Sequence, residues 1–231
     1  MYIDFLINVF KEFESNTAII WKNQKISYKY LINSVEESQK IIDSHKISPG
    51  SVVALDGDFT PKSISLLLAL IQKGCIIVPV TNTLNKNKMF EIALVEYVFT
   101  VNNNDVVNFK SISKRNDNDY YKIIRKKSHP GLVLFTSGTS GDPKAAVHDF
   151  MGLLKKFKTK RKALRTLNFL LFDHWGGLNT MFHILSNGGV VIATKKRSPE
   201  NIAKLIEDYK IELLPASPTF LNLLLISGVY E

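Results

Sequence analysis

The chain has 231 residues, 45% hydrophobic and 22% charged, with 12 Gly and 8 Pro, which supplies ample core material and excludes collagen-like, low-complexity and largely disordered chains. A formal net charge of +9 raises nucleic acid, an anionic surface or a polyanionic substrate as partners. However, only five of the 30 basic residues are Arg, whereas specific phosphate and base recognition favours the Arg fork, so we expect no nucleic-acid partner. A single cysteine, Cys75, excludes an intramolecular disulfide framework and leaves a structural zinc cluster without its cysteine pair, which suits a cytoplasmic location.

The first 16 residues carry Asp4 early and lack the basic start and small-residue cleavage site of a signal peptide, so they are expected to form an amphipathic helix. The most apolar windows, 64–71 and 169–172, fall far short of the roughly 20 residues a bilayer requires, so no transmembrane segment is expected. Residues 17–21 are β-rich, and 28–45 place Leu31, Ile32, Val35, Ile41 and Ile42 on one helical face. After a Ser48-Pro49-Gly50 turn, 52–55 read as a short buried strand. Thr60 and Pro61 then supply an N-cap and first-turn proline for a helix stopping at Gly74, and 75–80 read as the next strand, with Cys75 an inert core residue. Strand, helix, strand implies a right-handed crossover and a parallel sheet.

Between 102 and 127 the pattern fades into polar and charged residues, with 102–104 and 114–119 expected to form exposed turns between short strands. Strands are expected again at 131–135, 167–172, 190–193 and 211–214, alternating with helices that start at Ser198-Pro199 and Ser217-Pro218. The fold class is therefore α/β, with mostly parallel sheets flanked by helices. Seven basic residues and no acidic one lie between Lys155 and Arg165. They read as a solvated helix face or, alternatively, as a patch for the phosphates of ATP or coenzyme A or for an acidic carrier protein.

The most informative stretch is Leu134-Phe135-Thr136-Ser137-Gly138-Thr139-Ser140-Gly141-Asp142-Pro143-Lys144, where an apolar strand ends in small and hydroxylated residues before a lysine. Glycines let backbone N–H groups converge on phosphate oxygens, hydroxyls add donors, and Lys144 adds mobile charge. A Walker loop has Gly directly before its Lys, and here that residue is Pro143. Taken alone, the segment is also compatible with a flexible Ser/Gly turn.

Residues 135–149, FTSGTSGDPKAAVHD, resemble the phosphate-loop motif of the AMP-forming adenylating superfamily of acyl-CoA and aryl-CoA synthetases, luciferases and peptide-synthetase adenylation domains. ISYKYL (26–31), LIQKGCIIVPV (70–80), FDHWGGL (172–178) and LPASPT (214–219) resemble further motifs of that superfamily, in the right order. The resemblance spans 1–231 and implies the N-terminal portion of the adenylation domain, incomplete because the later motifs and the mobile lid domain are absent, and weakly active or inactive alone. It implies activation of a carboxylic acid with ATP to an acyl-adenylate, followed by transfer to a thiol. ATP, Mg2+ and coenzyme A would be its cofactors, a fatty or aryl acid its substrate, and an acyl carrier protein an alternative partner. Thr136, Ser137, Gly138, Thr139, Ser140, Gly141 and Lys144 would hold the β- and γ-phosphates. His174, in a catalytic or gating role, and Trp175 would sit near the carboxylate, while His148 would be structural. Ala145 stands where the family usually has Gly. The alternative is a non-catalytic remnant that keeps phosphate affinity.

Overall fold

A computed structural model describes residues 2–81, 83–112, 115, 117–137 (Ser137 by its backbone alone) and 143–229. Local capping chemistry defines most of the helices. The N-terminal helix α1 (Asp4–Glu12) leads to the hairpin of β1 (Thr17–Trp21) and β2 (Gln24–Ser27). The Ser27 side chain then accepts the N–H of Tyr30 at 3.1 Å and starts α2 (Tyr28–Ser44). After β3 (Val52–Asp56), Thr60 caps α3 (Pro61–Lys73) by accepting the N–H of Ser63 at 3.1 Å. Gly74 ends α3 at φ +78, a left-handed conformation that a side chain would strain. Cys75 is buried one residue ahead of β4 (Ile76–Val80), and burial pushes its thiol up to about 12, which suits an inert core residue.

The chain continues through α4 (Lys86–Ile92), β5 (Tyr97–Val101), β6 (Val107–Ser111) and α5 (Asp119–Lys126). The turn expected at 102–104 separates β5 from β6, whereas the one expected at 114–119, described only at 115 and 117–119, leads into a helix rather than a strand. Asn118 accepts the N–H of Tyr121 at 2.9 Å, and α5 buries Tyr121 and Ile124 on one side of an otherwise polar helix. β7 (Gly131–Ser137) and β8 (Pro143–Asp149) form an antiparallel pair, followed by α6 (Phe150–Leu154). The basic segment is not the helix face expected of it. A single 3-10 turn, Lys155–Lys158, gives way to irregular chain, as crowded like charges disfavour a continuous helix.

β9 (Arg165–Asn168) is shorter than the expected 167–172 strand, because the chain turns after Asn168 to enter α7 (Trp175–Leu185). β10 (Val190–Ala193), α8 (Pro199–Asp208) and α9 (Pro218–Ser227) follow, the last two capped by Ser198 and Ser217. The expected strand over 211–214 is reduced to one parallel bridge between Leu213 and Thr166.

The strands form two mostly parallel sheets. One has the order β2-β1-β10-β9 and the other β6-β5-β3-β4-β7-β8, with β2, β6 and β8 antiparallel to their neighbours. Helix α3 buries ten residues around its circumference, as a helix lying inside a core must. One apolar cluster joins it to Ile19 and Val191 of the first sheet and to Val53, Leu55, Leu132 and Leu134 of the second. A second cluster, with Ala54, Val78 and Val133, covers the opposite face of the larger sheet.

Candidate functional site

In open α/β sheets ligands settle at the carboxyl ends of parallel strands, and two candidate segments lie there. The first is the β7–β8 pair. β7 pairs with β4 only at Gly131 and Leu132, and from Val133 onward it bonds to β8 alone, up to Ser137 opposite Pro143. Thr136 and Lys144 are cross-strand partners, so their side chains share a face. Strand alternation makes it the face of Leu132 and Leu134, which enter the core between the sheets, whereas Val133 and Val147 enter the second cluster. Both Thr136 and Lys144 are exposed. The expected ligands Gly138, Thr139, Ser140 and Gly141 lie outside the described residues, as does the Ser137 side chain. His148, opposite Leu132, is half-buried.

The second segment is the turn before α7. It places His174 at the helix N-cap and Trp175 at its first position. Gly177 permits the turn, since a Cβ there would lie 2.2 Å from the Leu171 carbonyl oxygen and 3.0 Å from the Phe59 ring. The Asn168 amide donates to the Gly177 carbonyl at 3.2 Å, tying β9 to the same point. Trp175 is half-buried against Phe157, 6.4 Å away, with Lys156 Nζ 5.0 Å from its ring centroid.

His174 does not occupy the apolar setting in which a lone histidine is usually structural. Its side chain is 60% exposed, and its Nδ1 lies 2.8 Å from Asp173 Oδ1. That contact ties the imidazole to Asp173 through one of its two ring nitrogens. Asp173, only 14% exposed in its side chain, also accepts the backbone N–H of Thr81 through Oδ2 at 3.1 Å, and Thr81 Oγ1 donates to the Gly57 carbonyl at 3.0 Å. Thus Asp173 fastens the α7 turn to the ends of β3 and β4. Sequence reasoning quoted Asp173 within its motif but gave it no role. The only signal available was a carboxylate directly before a histidine.

Among the described residues no hydrogen bond or ion pair joins Thr136 or Lys144 to the His174 turn. The two segments are related by their position at the carboxyl edge. No three His, Cys, Asp or Glu side chains among the described residues cluster as a metal site, and none of the described helices is long and apolar enough to cross a membrane.

The AMP-binding enzyme family matches residues 8–230. The chain is 26% identical over 183 residues to a dimodular nonribosomal peptide synthase of Bacillus subtilis, covering 75% of this chain and 7% of that protein. It is 22% identical over 247 residues to a D-alanine–D-alanyl carrier protein ligase of Bacillus cytotoxicus, covering 95% of this chain and 48% of that one. It therefore spans under a tenth of the synthase and about half of the ligase. In fold it is similar to the N-terminal subdomain of Klebsiella oxytoca NpsA, solved in complex with 3-hydroxyanthranilyl-AMSN. The TM-score is 0.71 at 18% identity, over 91% of this chain and 59% of that one.

Proposed function

The chain belongs to the AMP-binding enzyme family, and from that premise we propose that it contributes the phosphate-binding and acid-binding side of an ATP-dependent, AMP-forming ligase. The observation that carries this reading is the pairing of Thr136 with Lys144 beside a Gly/Ser-rich connection at the carboxyl edge of the large sheet. In adenylation the acid's carboxylate oxygen bonds to the α-phosphorus of ATP, and pyrophosphate leaves with the electrons of the broken P–O bond. The Lys144 ammonium and the Thr136 hydroxyl would meet the growing negative charge on that leaving group. Magnesium, which the family uses with ATP, has no carboxylate set among the described residues, and ATP's own phosphate oxygens would carry most of its coordination.

The acid we favour is an amino acid, and the acceptor a thiol borne by a carrier protein, rather than a fatty or aryl acid passed to coenzyme A. The relatives named for peptide synthesis and for D-alanyl carrier protein ligation support this. Asp173 supports it independently, as a mostly buried carboxylate beside His174 that suits an ammonium group better than a hydrocarbon tail. The test is pyrophosphate exchange into ATP across amino, aryl and aliphatic acids, together with MgATP binding by equilibrium dialysis. We expect MgATP binding, exchange that is largest with amino acids, and a loss of about a hundredfold in exchange for Lys144→Ala. Absence of both MgATP binding and exchange with every acid would refute the reading. Exchange confined to fatty or aryl acids would overturn the amino-acid assignment alone.

A further inference from the structure

The basic segment leaves one feature unexplained by adenylation. Between the 3-10 turn at Lys155–Lys158 and the second half of α7 lies a groove of about 510 Å3, lined by Lys156, Thr159, Arg161, Lys162, Asn179 and His183 among others, none of them acidic. Its His183 end lies nine residues along α7 from His174, about 13 Å of helix rise, while Lys156 at its other end reaches the Trp175 ring.

Its cations are poorly neutralised. Lys162 has a carboxylate only at 4.0 Å, from Glu212, which also faces Arg165 at 3.8 Å. Lys160, just outside the groove, takes Glu12 at 3.3 Å. Among the described residues neither Lys156 nor Arg161 has a carboxylate within ion-pairing distance. Lys156 Nζ lies instead over two rings, 5.1 Å from the centroid of Phe157 and 5.0 Å from that of Trp175. The backbone at Arg161 is fixed where its N–H donates to the side chain of Asn187, whose amide in turn donates to the His183 carbonyl at 2.6 Å. His183 is held below its ordinary value by burial and by the charges of Arg161 and Lys156. Lys156, Arg161 and Lys162 are exposed around this concavity, close enough that the first two act on His183.

We propose that this groove binds a phosphate group, as free orthophosphate or as the phosphate of a small phosphomonoester. The Arg161 fork suits two oxygens of one tetrahedral anion, Lys156 and Lys162 supply point charges, and Thr159 and Asn179 add neutral donors at the rim. The bound anion draws Lys156 off the Trp175 ring, and so reports at the residue that begins α7.

The experiment is a titration of the full chain at constant ionic strength, read by Trp175 fluorescence in a Trp21→Phe background and by the imidazole NMR signals of His183. Orthophosphate, phosphopantetheine and sodium chloride are the three probes. The groove predicts a saturable change with at least one phosphate probe and none with chloride. Arg161→Gln should weaken it about tenfold or more, and Lys144→Ala should leave it unchanged. Tighter binding of phosphopantetheine names a phosphomonoester as the ligand, and equal binding names the phosphate group alone. A change that sodium chloride reproduces overturns the proposal. So does a saturable change lost in Lys144→Ala and kept in Arg161→Gln. Thermal unfolding of each variant confirms that it is folded, and Lys156→Met, which spares Arg161, gives a second variant expected to weaken binding and to remove the fluorescence response.

Discussion

Gly177→Ala tests whether the turn before α7 is built as tightly as it looks. The new methyl carbon would stand 2.2 Å from the Leu171 carbonyl oxygen and 3.0 Å from both the Leu171 carbonyl carbon and the Phe59 ring. Ordinary carbon–oxygen contacts begin near 3.3 Å, so the first turn of α7 must retreat by about 1 Å. Overpacking of this kind costs about 2 kcal/mol, which for a chain of this size lowers Tm by roughly 4–8 °C. The retreat also pulls at Asp173, whose 3.1 Å bond to the Thr81 N–H spans the two sheets, and displaces His174. A 1 Å error at reacting groups is worth about a hundredfold in rate. Thermal unfolding reads the first effect and pyrophosphate exchange the second. Gly152→Ala in α6 is the control, because a Cβ there meets nothing within 4 Å, and it should gain up to about 1 kcal/mol. If Gly177→Ala melts with the parent and exchanges at full rate, the close-packing argument is wrong.

Asp173→Asn keeps an acceptor for the Thr81 N–H but loses the charge. Its Tm should stay within about 3 °C of the parent, while KM for an amino acid rises at least tenfold; an unchanged KM would remove Asp173 from substrate binding. Glu96 is 3% exposed in its side chain, accepts the Val52 N–H at 3.0 Å and faces Arg125 at 3.4 Å. Glu96→Ala should cost about 3 kcal/mol in urea unfolding, and a loss below 1 kcal/mol would contradict this. His183, lowered by burial first and by Arg161 and Lys156 second, takes up a proton more readily in the unfolded chain. Stability should therefore fall as pH drops below about 6.5, and His183→Gln should flatten that slope in urea melts at pH 7.5 and 5.5. Equal slopes for parent and variant would show that His183 is not the group responsible.

Elements that announce themselves chemically were legible in the sequence. Thr60-Pro61, Ser198-Pro199 and Ser217-Pro218 each open a helix where their capping oxygen and fixed proline φ require one. Helix α5 gives no such signal, because six of its eight residues stay unburied and its two core contacts, Tyr121 and Ile124, sit in a polar background. The strand expected at 211–214 has the right composition, but only Leu213 reaches β9. At the candidate site, sequence order alone placed Thr136, Lys144, His174 and Trp175 in motifs. The role of Asp173 was invisible because its partner, Thr81, lies 92 residues away and meets it only after the sheets have packed. Similarly, the groove around Arg161 exists only because the chain after Lys158 leaves the helical path and folds back along α7.

Among the described residues β8 is the outermost strand of the larger sheet, and one row of its backbone groups has no neighbouring strand there. A bare edge of that kind invites a strand from another molecule, and its first two residues guard against this. Pro143 has no N–H to offer, and Lys144 puts a charge where an incoming chain would lie. An edge charge of this kind would also oppose strand addition, a second role for Lys144 beside that of candidate phosphate ligand. Lys144→Ala should be checked for monodispersity by light scattering before lost exchange is attributed to chemistry, and Lys144→Glu, which keeps a charge at the edge, separates the two roles.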